Sequence, residues 1–180
     1  SGTGKSSLVN AGLLPALTGQ NGYNGIGVVS HTSIDFADIS PEQLFIDLAS
    51  AMLDWDVNDQ PVFAGKGAES LAEQLQSNGN AAIEQCTEAL KKTQKSYNKP
   101  QFLLFIERLE VLLSSPVFSD DERVEFLDLI EKLATCGAVI VISACRNDFY
   151  PMVVNHPSLI ANKGSGGHFD LLAPTRAELM

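Results

Sequence analysis

Basic residues are scarce in this sequence, and their scarcity argues against one large class of partners. The 180 residues contain 12 Lys and Arg against 22 Asp and Glu, which gives a net charge of −10. A surface that follows a phosphate backbone needs clustered Lys and Arg. We therefore expect no direct nucleic-acid binding by this domain.

Cysteines and long apolar runs are scarce as well. Cys86, Cys136 and Cys145 are odd in number and far apart, so they predict neither a disulfide framework nor a zinc site and suit a reducing cytoplasm. No apolar run approaches the length of a membrane-spanning helix, and no signal peptide opens the sequence. We therefore expect a cytoplasmic protein without a membrane partner. With 44% hydrophobic and 19% charged residues, the composition is that of a globular domain.

The most informative stretch is the start of the sequence, which matches the end of a phosphate-binding loop. In S-G-T-G-K-S-S, the last three places of G-x-x-x-x-G-K-[ST] are held by Gly4, Lys5 and Ser6. Glycines let consecutive N–H groups face phosphate oxygens, the lysine carries a mobile charge to the β- and γ-phosphates, and the hydroxyl can ligate Mg²⁺. The predicted nucleotide-binding residues are Ser1, Gly2, Thr3, Gly4, Lys5, Ser6 and Ser7.

The match to this motif is incomplete, and a second interpretation stays open. The first Gly of the motif would lie two positions before Ser1, so the sequence begins inside the loop and lacks the strand expected before it. A Gly-Ser-rich start is also compatible with a flexible tail or with residues left by cloning. However, an apolar stretch of helical character follows at once in Leu8–Leu14, and this is the context that a phosphate loop requires.

Further along, apolar strands alternate with amphipathic helices. This alternation predicts an α/β fold with a doubly wound, mostly parallel sheet and helices on both faces, truncated at both ends. Ligands bind at the carboxyl ends of the strands in such sheets, where Asp35, Glu107, Arg146 and Asp148 fall. The predicted strands are Ile26–Ser30 (with His31–Asp35 at its end), Phe102–Ile106, Ala138–Ser143 and, more weakly, His168–Leu172. The first predicted helix is Lys5–Leu17, in which Pro15 disturbs the last turn. Ser40 caps a helix with the apolar stripe Leu44, Phe45, Leu48, Ala49 and Met52, and Ser119 caps a later helix with the apolar stripe Val124, Leu127, Ile130 and Leu133, which ends at Gly137. Two further helices, Glu69–Gln76 and Ala81–Tyr97, are expected to form an excursion from the core.

Two acids follow the most apolar strand. Phe102–Ile106 runs directly into Glu107, as in a Walker B element, where a carboxylate orients the Mg²⁺ shell and a following acid polarises the attacking water. We predict Glu107 as a metal ligand together with Ser6, and Glu107 and Glu110 as catalytic residues. Glutamate is one methylene longer than the usual aspartate, which matters for the tight geometry of Mg²⁺. The alternative is that both acids lie on the surface at a helix start.

An arginine follows the next strand along the chain. Arg146 could reach the γ-phosphate, because a planar guanidinium suits phosphate better than an ammonium group does. We count it among the catalytic candidates. The alternative is a surface ion pair with Asp148 or Asp121. The neighbouring Cys145 is more typical of a small core residue than of a nucleophile.

Taken together, these motifs resemble those of the STAND-class signalling ATPases, specifically the bacterial novel STAND NTPase domain. The resemblance is carried by S-G-T-G-K-S-S-L-V-N-A-G-L-L-P-A-L at Ser1–Leu17, F-L-L-F-I-E-R-L-E at Phe102–Glu110, R-N-D-F-Y at Arg146–Tyr150, H-P at His156–Pro157 and L-A-P-T-R-A-E-L at Leu172–Leu179. It implies a nucleotide-binding core over residues 1–172 and the start of a helical lid over residues 173–180, with a hinge at Leu172–Pro174.

The resemblance also implies a function. Such a domain is an ATP- and Mg²⁺-dependent switch in a larger polypeptide that carries effector and sensor domains, and it forms a homo-oligomer in its active state. The glutamate at position 107 departs from the aspartate of the family and puts hydrolysis, though not binding, in question. The alternatives are a nucleotide-binding scaffold without turnover and a small-molecule kinase, although the kinase would usually show an Arg-rich lid that this sequence lacks.

Overall fold

Three parallel strands form the central sheet of the protein, in the order β1–β4–β5. The computed structural model describes residues 4–163 together with Gly167, Phe169 and Leu171. The sheet strands are β1 (Ile26–Asp35), β4 (Lys99–Glu107) and β5 (Val139–Ser143), and a separate short hairpin consists of β2 (Asp56–Val57) and β3 (Gln60–Pro61). The helices are α1 (Lys5–Ser7), a π-helical segment (Leu8–Leu13), α2 (Leu14–Thr18), α3 (Leu44–Leu53), α4 (Ala68–Leu90), α5 (Leu109–Ser114), α6 (Asp120–Thr135), α7 (Tyr150–Val153) and α8 (Pro157–Lys163).

The predicted α/β fold is confirmed, with helices on both faces of a parallel sheet. Successive side chains of β4 point to opposite faces because a strand has a period of two. Phe102, Leu104 and Ile106 belong to a core shared with α3, α4 and α6. Leu103 and Phe105 pack on the other face against the helix that begins at Lys5. The five apolar residues of this strand are therefore buried on both faces, as the sequence predicts.

The first helix follows its prediction in extent but not in detail. Helical backbone runs without a break over residues 5–18, which we call the phosphate-loop helix. Pro15 was expected to disturb the last turn, yet that turn is regular and the deviation lies upstream, in the π-helical segment Leu8–Leu13. Proline lacks an N–H and its ring would clash with the carbonyl of Ala11, four residues earlier. The π-helical segment before Pro15 has wider turns than an α-helix, and this relieves the clash.

The two helices Glu69–Gln76 and Ala81–Tyr97 were predicted to form an excursion from the core, and this prediction is wrong. Helix α4 (Ala68–Leu90) is interrupted at Asn78, where φ is −153° and ψ is 69°, so the break between the two predicted helices is present, and the second helix ends before Tyr97 rather than at it. Its apolar side chains belong to the main core, where α4 packs on α3 and α6. Trp55, which lies between α3 and β2, is fully buried and stacks on Phe102 with ring centroids 4.9 Å apart. Burial of these apolar side chains makes the segment part of the domain core.

Other expectations need smaller corrections. Strand β1 continues through the predicted strand end to Asp35. The apolar stripe of α3 is buried as predicted, although a 3₁₀ turn at Pro41–Gln43 separates it from Ser40. Helix α6 has the expected capping box at Ser119 and is followed by Gly137 with a φ of 81°, but Val124 of its predicted stripe is 50% exposed.

Of the predicted strand His168–Leu172, the structure describes only Phe169 and Leu171, and neither is assigned to a strand; the predicted hinge at Leu172–Pro174 lies outside the described residues. Among the helices that the structure does describe, none combines the length and the apolarity needed to cross a bilayer.

Candidate functional site

The phosphate-loop helix begins at Lys5, directly after a glycine in a left-handed conformation. Gly4 has a φ of 74° and accepts a backbone hydrogen bond of 2.8 Å from the N–H of Leu8. A side chain is disfavoured at such a φ, so glycine suits this position. Lys5 and Ser6 are the first residues of the helix, where backbone N–H groups and the helix dipole favour an anion. The predicted loop residues Ser1–Thr3 lie outside the described part of the chain.

The second part of the site lies at the end of β4. Ser6 Oγ donates a hydrogen bond to Glu107 Oε2, and these two residues are 101 positions apart in the sequence. The contact joins the hydroxyl and the carboxylate that were predicted to share a metal. It forms because the phosphate-loop helix packs on one face of β4, with Val9 buried against Leu103 and Phe105.

The end of β1 lies beside the end of β4. Asp35 is the register partner of Glu107, so the two acids occupy neighbouring strand ends. The Arg108 side chain donates from Nε to Asp35 Oδ1 at 2.7 Å and from Nη2 to Asp35 Oδ2. The Arg108 guanidinium, chiefly through these hydrogen bonds, holds the pKa of Asp35 below its ordinary value of 3.8. Asp35 is therefore an anion at neutral pH, and its carboxylate forms an ion pair with the Arg108 guanidinium.

Glu110 lies in the first turn of α5 and is only 7% exposed, so it is not a surface acid. Its Oε2 accepts a hydrogen bond of 3.3 Å from the backbone N–H of Arg146. The backbone N–H of Leu109 also donates to the carbonyl of Ala144 at 3.0 Å. These bonds tie the start of α5 to the residues that follow β5, and they bring the second acid to the same edge of the sheet as Glu107.

Arg146 pairs with Asp148, which is one of the alternatives that the sequence left open. Arg146 Nε donates to Asp148 Oδ1 at 3.1 Å, and Nη2 donates to Oδ2. The hydrogen bonds to Asp148 raise the pKa of Arg146, and the same bonds lower the pKa of Asp148. The positive charge of Lys5 also lowers the pKa of Asp148, so Lys5 and Arg146 both act on this one carboxylate. The guanidinium is about half exposed and remains accessible from solvent.

A cleft of about 1180 Å³ runs along β5, the last strand of the described sheet, and extends from the phosphate-loop helix on one face to α6 on the other. Lys5, Arg146 and Asp148 contribute to its polar lining, and Leu13 and Ile142 to its apolar lining. The polar part of this lining, with Lys5 and Arg146, is the part that suits a phosphate group. Cys145 also lines the cleft, and burial raises the pKa of its thiol to about 11. The thiol is therefore a poor nucleophile at neutral pH, in line with the interpretation of this cysteine as a packing residue.

A second, smaller hollow of about 290 Å³ lies near the end of β1. Asp35, Asp47 and Asp54 contribute to its lining, and it includes neither Lys5 nor Arg146. Acidic groups repel phosphate, so this hollow is the less suitable place for a nucleotide.

The residues present suit Mg²⁺ and a phosphate chain. Hydroxyl and carboxylate oxygens, which Ser6 and Glu107 bring together, are the ligands that Mg²⁺ prefers. Over residues 4–163 with 167, 169 and 171, no group of three or more His, Cys, Asp and Glu is arranged to hold a metal ion. Mg²⁺ is usually bound through one or two protein oxygens together with phosphate oxygens and waters rather than by a protein cage. The pair of oxygens therefore fits an ion that arrives with a nucleotide.

The structure brings most of the predicted residues to one edge of the sheet. Ser6 contacts Glu107, Glu110 contacts the backbone of Arg146, and Lys5 lines the cleft with Arg146. The pairing of Arg108 with Asp35 was missed from the sequence. Arg108 stands next to the Walker B acid, but its partner is 73 positions away and no local spacing links the two.

Comparisons with known proteins identify the family. Neither the curated proteins nor the solved structures contain a match to this chain. The family described as Novel STAND NTPase 1 matches over residues 1–180. That range covers the whole sequence and includes the phosphate loop, the Walker B strand and the arginine after β5. The chain therefore belongs to the Novel STAND NTPase 1 family.

Proposed function

We propose that this NTPase domain is an ATP- and Mg²⁺-binding switch that hydrolyses ATP slowly. The observation that carries the proposal is the contact between Ser6 and Glu107, because it joins the end of the phosphate loop to the end of the Walker B strand. Family membership supports nucleotide binding in general. The choice of ATP rests on the resemblance to the STAND-class ATPases, and the low rate of turnover rests on the resemblance and on Glu107.

Each site residue has a role in this proposal. The loop Ser1–Ser7 holds the phosphates through its backbone N–H groups, and Lys5 adds a cation beside them. Ser6 and Glu107 hold Mg²⁺, which neutralises charge on the phosphate oxygens when it is bound. Glu110 orients the attacking water and accepts its proton. It lies buried at the same edge of the sheet as Glu107, and its carboxylate accepts the backbone N–H of Arg146.

Arg146 acts as a sensor of the γ-phosphate. Its guanidinium lines the same cleft as Lys5 and is paired with Asp148, so a phosphate would compete with a carboxylate for it. Guanidinium binds both groups in a bidentate manner, which makes such an exchange geometrically simple.

Slow turnover follows from the length of the acid at position 107. The carboxylate reaches the hydroxyl of Ser6 directly, which leaves less room for the metal than an aspartate would. This crowding also keeps a second function open, in which the domain binds nucleotide as a scaffold without hydrolysing it. Separate measurements of nucleotide binding and phosphate release on one preparation distinguish the two.

The wider context of the switch is part of the proposal. We infer that the domain belongs to a larger cytoplasmic polypeptide with effector and sensor domains, and that it assembles into a homo-oligomer when ATP is bound. Family membership supports a multidomain context.

The test of the proposed function is calorimetry of ATP binding in the presence of Mg²⁺. Lys5→Ala is expected to weaken ATP binding by about 10- to 100-fold, because a hydrogen bond to a charged group contributes about 1.5–3 kcal/mol. Lys91→Ala is the matched control, since Lys91 pairs with Glu88 on the exposed side of α4. Equal affinities for wild type and Lys5→Ala would contradict the proposal.

A further inference from the structure

The backbone on either side of Glu107 is held firmly on one side of β4. The N–H of Ala144 donates to the carbonyl of Ile106 at 2.8 Å, and the N–H of Leu109 donates to the carbonyl of Ala144 at 3.0 Å. These two bonds attach the residues flanking Glu107 to the β5 side of the sheet. The residue that makes the turn after β4, Arg108, lies just beyond the last pair of the ladder with β1.

On the β1 side, the strand ladder continues to the Asp35–Glu107 pair, and a pair of side chains adds an attachment just beyond it. Asp35 lies opposite Glu107 in the parallel register, and Arg108 reaches across from the next position to bind both oxygens of the Asp35 carboxylate. Asp35 is itself oriented, because its Oδ1 accepts a 3.1 Å hydrogen bond from the N–H of Ala37. The pair therefore links the last residue of β1 to the residue directly after the Walker B acid.

Arg108 also has an unusual backbone. Its φ is 54° and its ψ is 45°, a left-handed conformation that residues other than glycine rarely adopt, and it precedes α5 directly. This conformation turns the chain from β4 into the helix immediately after Glu107. A strained turn persists only where surrounding contacts hold it, and the two bonds to Asp35 are such contacts.

An exposed ion pair on its own contributes little to stability, and here the two side chains are 53% and 42% exposed. The Asp35–Arg108 pair therefore contributes mainly through geometry, because a bidentate arginine–carboxylate pair fixes orientation as well as distance. The group whose orientation depends most directly on this turn is the adjoining Glu107, whose carboxylate bonds to Ser6.

We propose that Asp35 and Arg108 are positioning residues, which hold the turn after β4 so that the Glu107 carboxylate faces Ser6 and thereby set the affinity for Mg²⁺. This inference rests on the proposed function for its link to Mg²⁺. Neither residue touches the phosphates or the metal in this role. They act through the backbone and side chain of Glu107.

The first test is the Mg²⁺ dependence of ATP affinity in Asp35→Asn and Arg108→Gly. Asparagine keeps an acceptor for Ala37 but loses the ion pair, and glycine tolerates the left-handed turn but removes the guanidinium. Both variants should lose about 10-fold or more in Mg²⁺ affinity, as is typical when a residue behind a metal ligand is changed. ATP affinity without Mg²⁺ should stay within about 3-fold of wild type, since the loop and Lys5 are unchanged.

Two further variants separate positioning from general stability. Arg108→Lys keeps the charge and should restore only part of the Mg²⁺ affinity, because an ammonium cannot form the bidentate pair. Glu88→Gln removes the exposed Lys91–Glu88 pair on α4 and should leave the Mg²⁺ dependence unchanged. If Asp35→Asn and Arg108→Gly lower stability but keep the wild-type Mg²⁺ dependence, the proposal is overturned.

The second test needs no nucleotide, so it distinguishes failure of this inference from failure of the proposed function. Denaturant unfolding is measured for Arg108→Gly, Ser6→Ala and the double variant. If the pair holds Glu107 against Ser6, the combined effect on the unfolding equilibrium constant should be about 5-fold smaller than the product of the single effects. If the free-energy changes of Arg108→Gly and Ser6→Ala simply add in the double variant, the Asp35–Arg108 pair does not position Glu107. This conclusion holds whether or not the wild type binds ATP.

Discussion

At the scale of the residue, the most consequential choice is glutamate at position 107. The side chain ends in a carboxylate that already contacts the hydroxyl of Ser6. An aspartate in its place would withdraw the carboxylate by roughly 1.5 Å, about one C–C bond. Displacement of a catalytic group by about 1 Å can change a rate ~100-fold, so under the proposed function we expect the extra methylene of Glu107 to govern the rate of hydrolysis.

We predict that Glu107→Asp raises ATP hydrolysis by about 10- to 100-fold while ATP affinity stays within about 3-fold, since the loop and Lys5 supply most of the ground-state binding. Glu107→Gln should abolish hydrolysis. Phosphate release under single-turnover conditions and calorimetry measure the two quantities separately. A slower Glu107→Asp enzyme would mean that the site is built around the longer acid.

A second prediction at this scale concerns the thiol in the cleft. Because burial raises the pKa of Cys145 from 9.0 to about 11, its thiolate fraction near pH 8 should be about 100-fold below that of a free cysteine. Its reaction with iodoacetamide should speed up about 10-fold for each pH unit between 8 and 10. Mass spectrometry of Cys145 in a Cys86→Ala, Cys136→Ala background measures the rate. A rate that is flat with pH would contradict the raised pKa.

At the scale of the element, the phosphate-loop helix is held at both ends by distant residues. Its first turn meets Glu107, and its carboxyl end meets Tyr97, whose hydroxyl donates to the carbonyls of Thr18 and Gly19, each at 3.0 Å. The Tyr97 ring also lies on Gly27, where an added Cβ would come within 2.2 Å of it. The segment that was predicted to be an excursion therefore leads into a residue that fixes this helix.

We predict that Tyr97→Phe lowers the free energy of unfolding by about 1 kcal/mol, because the shared hydroxyl bond to the helix end is lost while the ring packing stays. Gly27→Ala should cost more, about 1–3 kcal/mol, since the new methyl overlaps the ring. Urea unfolding of the two variants provides the comparison. Gly65→Ser is a control for a glycine with open space around it, although its φ of 75° adds some strain. An effect of Gly27→Ala smaller than that of Tyr97→Phe would contradict the packing argument.

At the scale of the whole molecule, the parallel arrangement of β1, β4 and β5 brings Asp35, Glu107 and the residues after Ser143 to one edge. Each strand end carries part of the candidate site, and the helices on both faces hold the strands in register. A ligand that bridges these strand ends should therefore stabilise the fold as a unit, not only the loop that it touches.

We predict that ATP with Mg²⁺ at about 100 times its dissociation constant adds about 2.7 kcal/mol to the free energy of unfolding. The shift in unfolding midpoint should be smaller without Mg²⁺ and nearly absent in Lys5→Ala. Differential scanning fluorimetry over a series of ATP concentrations measures it, with Lys91→Ala as the control. A shift of equal size in Lys5→Ala would place the bound nucleotide somewhere other than the phosphate loop.

The sequence by itself was sufficient for features that depend on neighbouring residues. The run Phe102–Ile106 predicts a strand buried on both faces, Ser119 with Glu122 predicts a capped helix start, and Gly4-Lys5-Ser6 predicts the loop that opens a helix. In each case the relevant contacts lie within a few positions along the chain, so spacing and residue type carry the information.

Only the tertiary structure decided the features that depend on distant partners. The burial of Glu110, the contact of Ser6 with Glu107 and the pairing of Arg108 with Asp35 join residues from separate strands and helices. Helix α4 looked peripheral because its composition is polar on average, yet its apolar side is buried against α3 and α6. Burial and pairing are properties of the surface that an element meets, and that surface comes from strand order and helix packing, which no local pattern in the sequence contains.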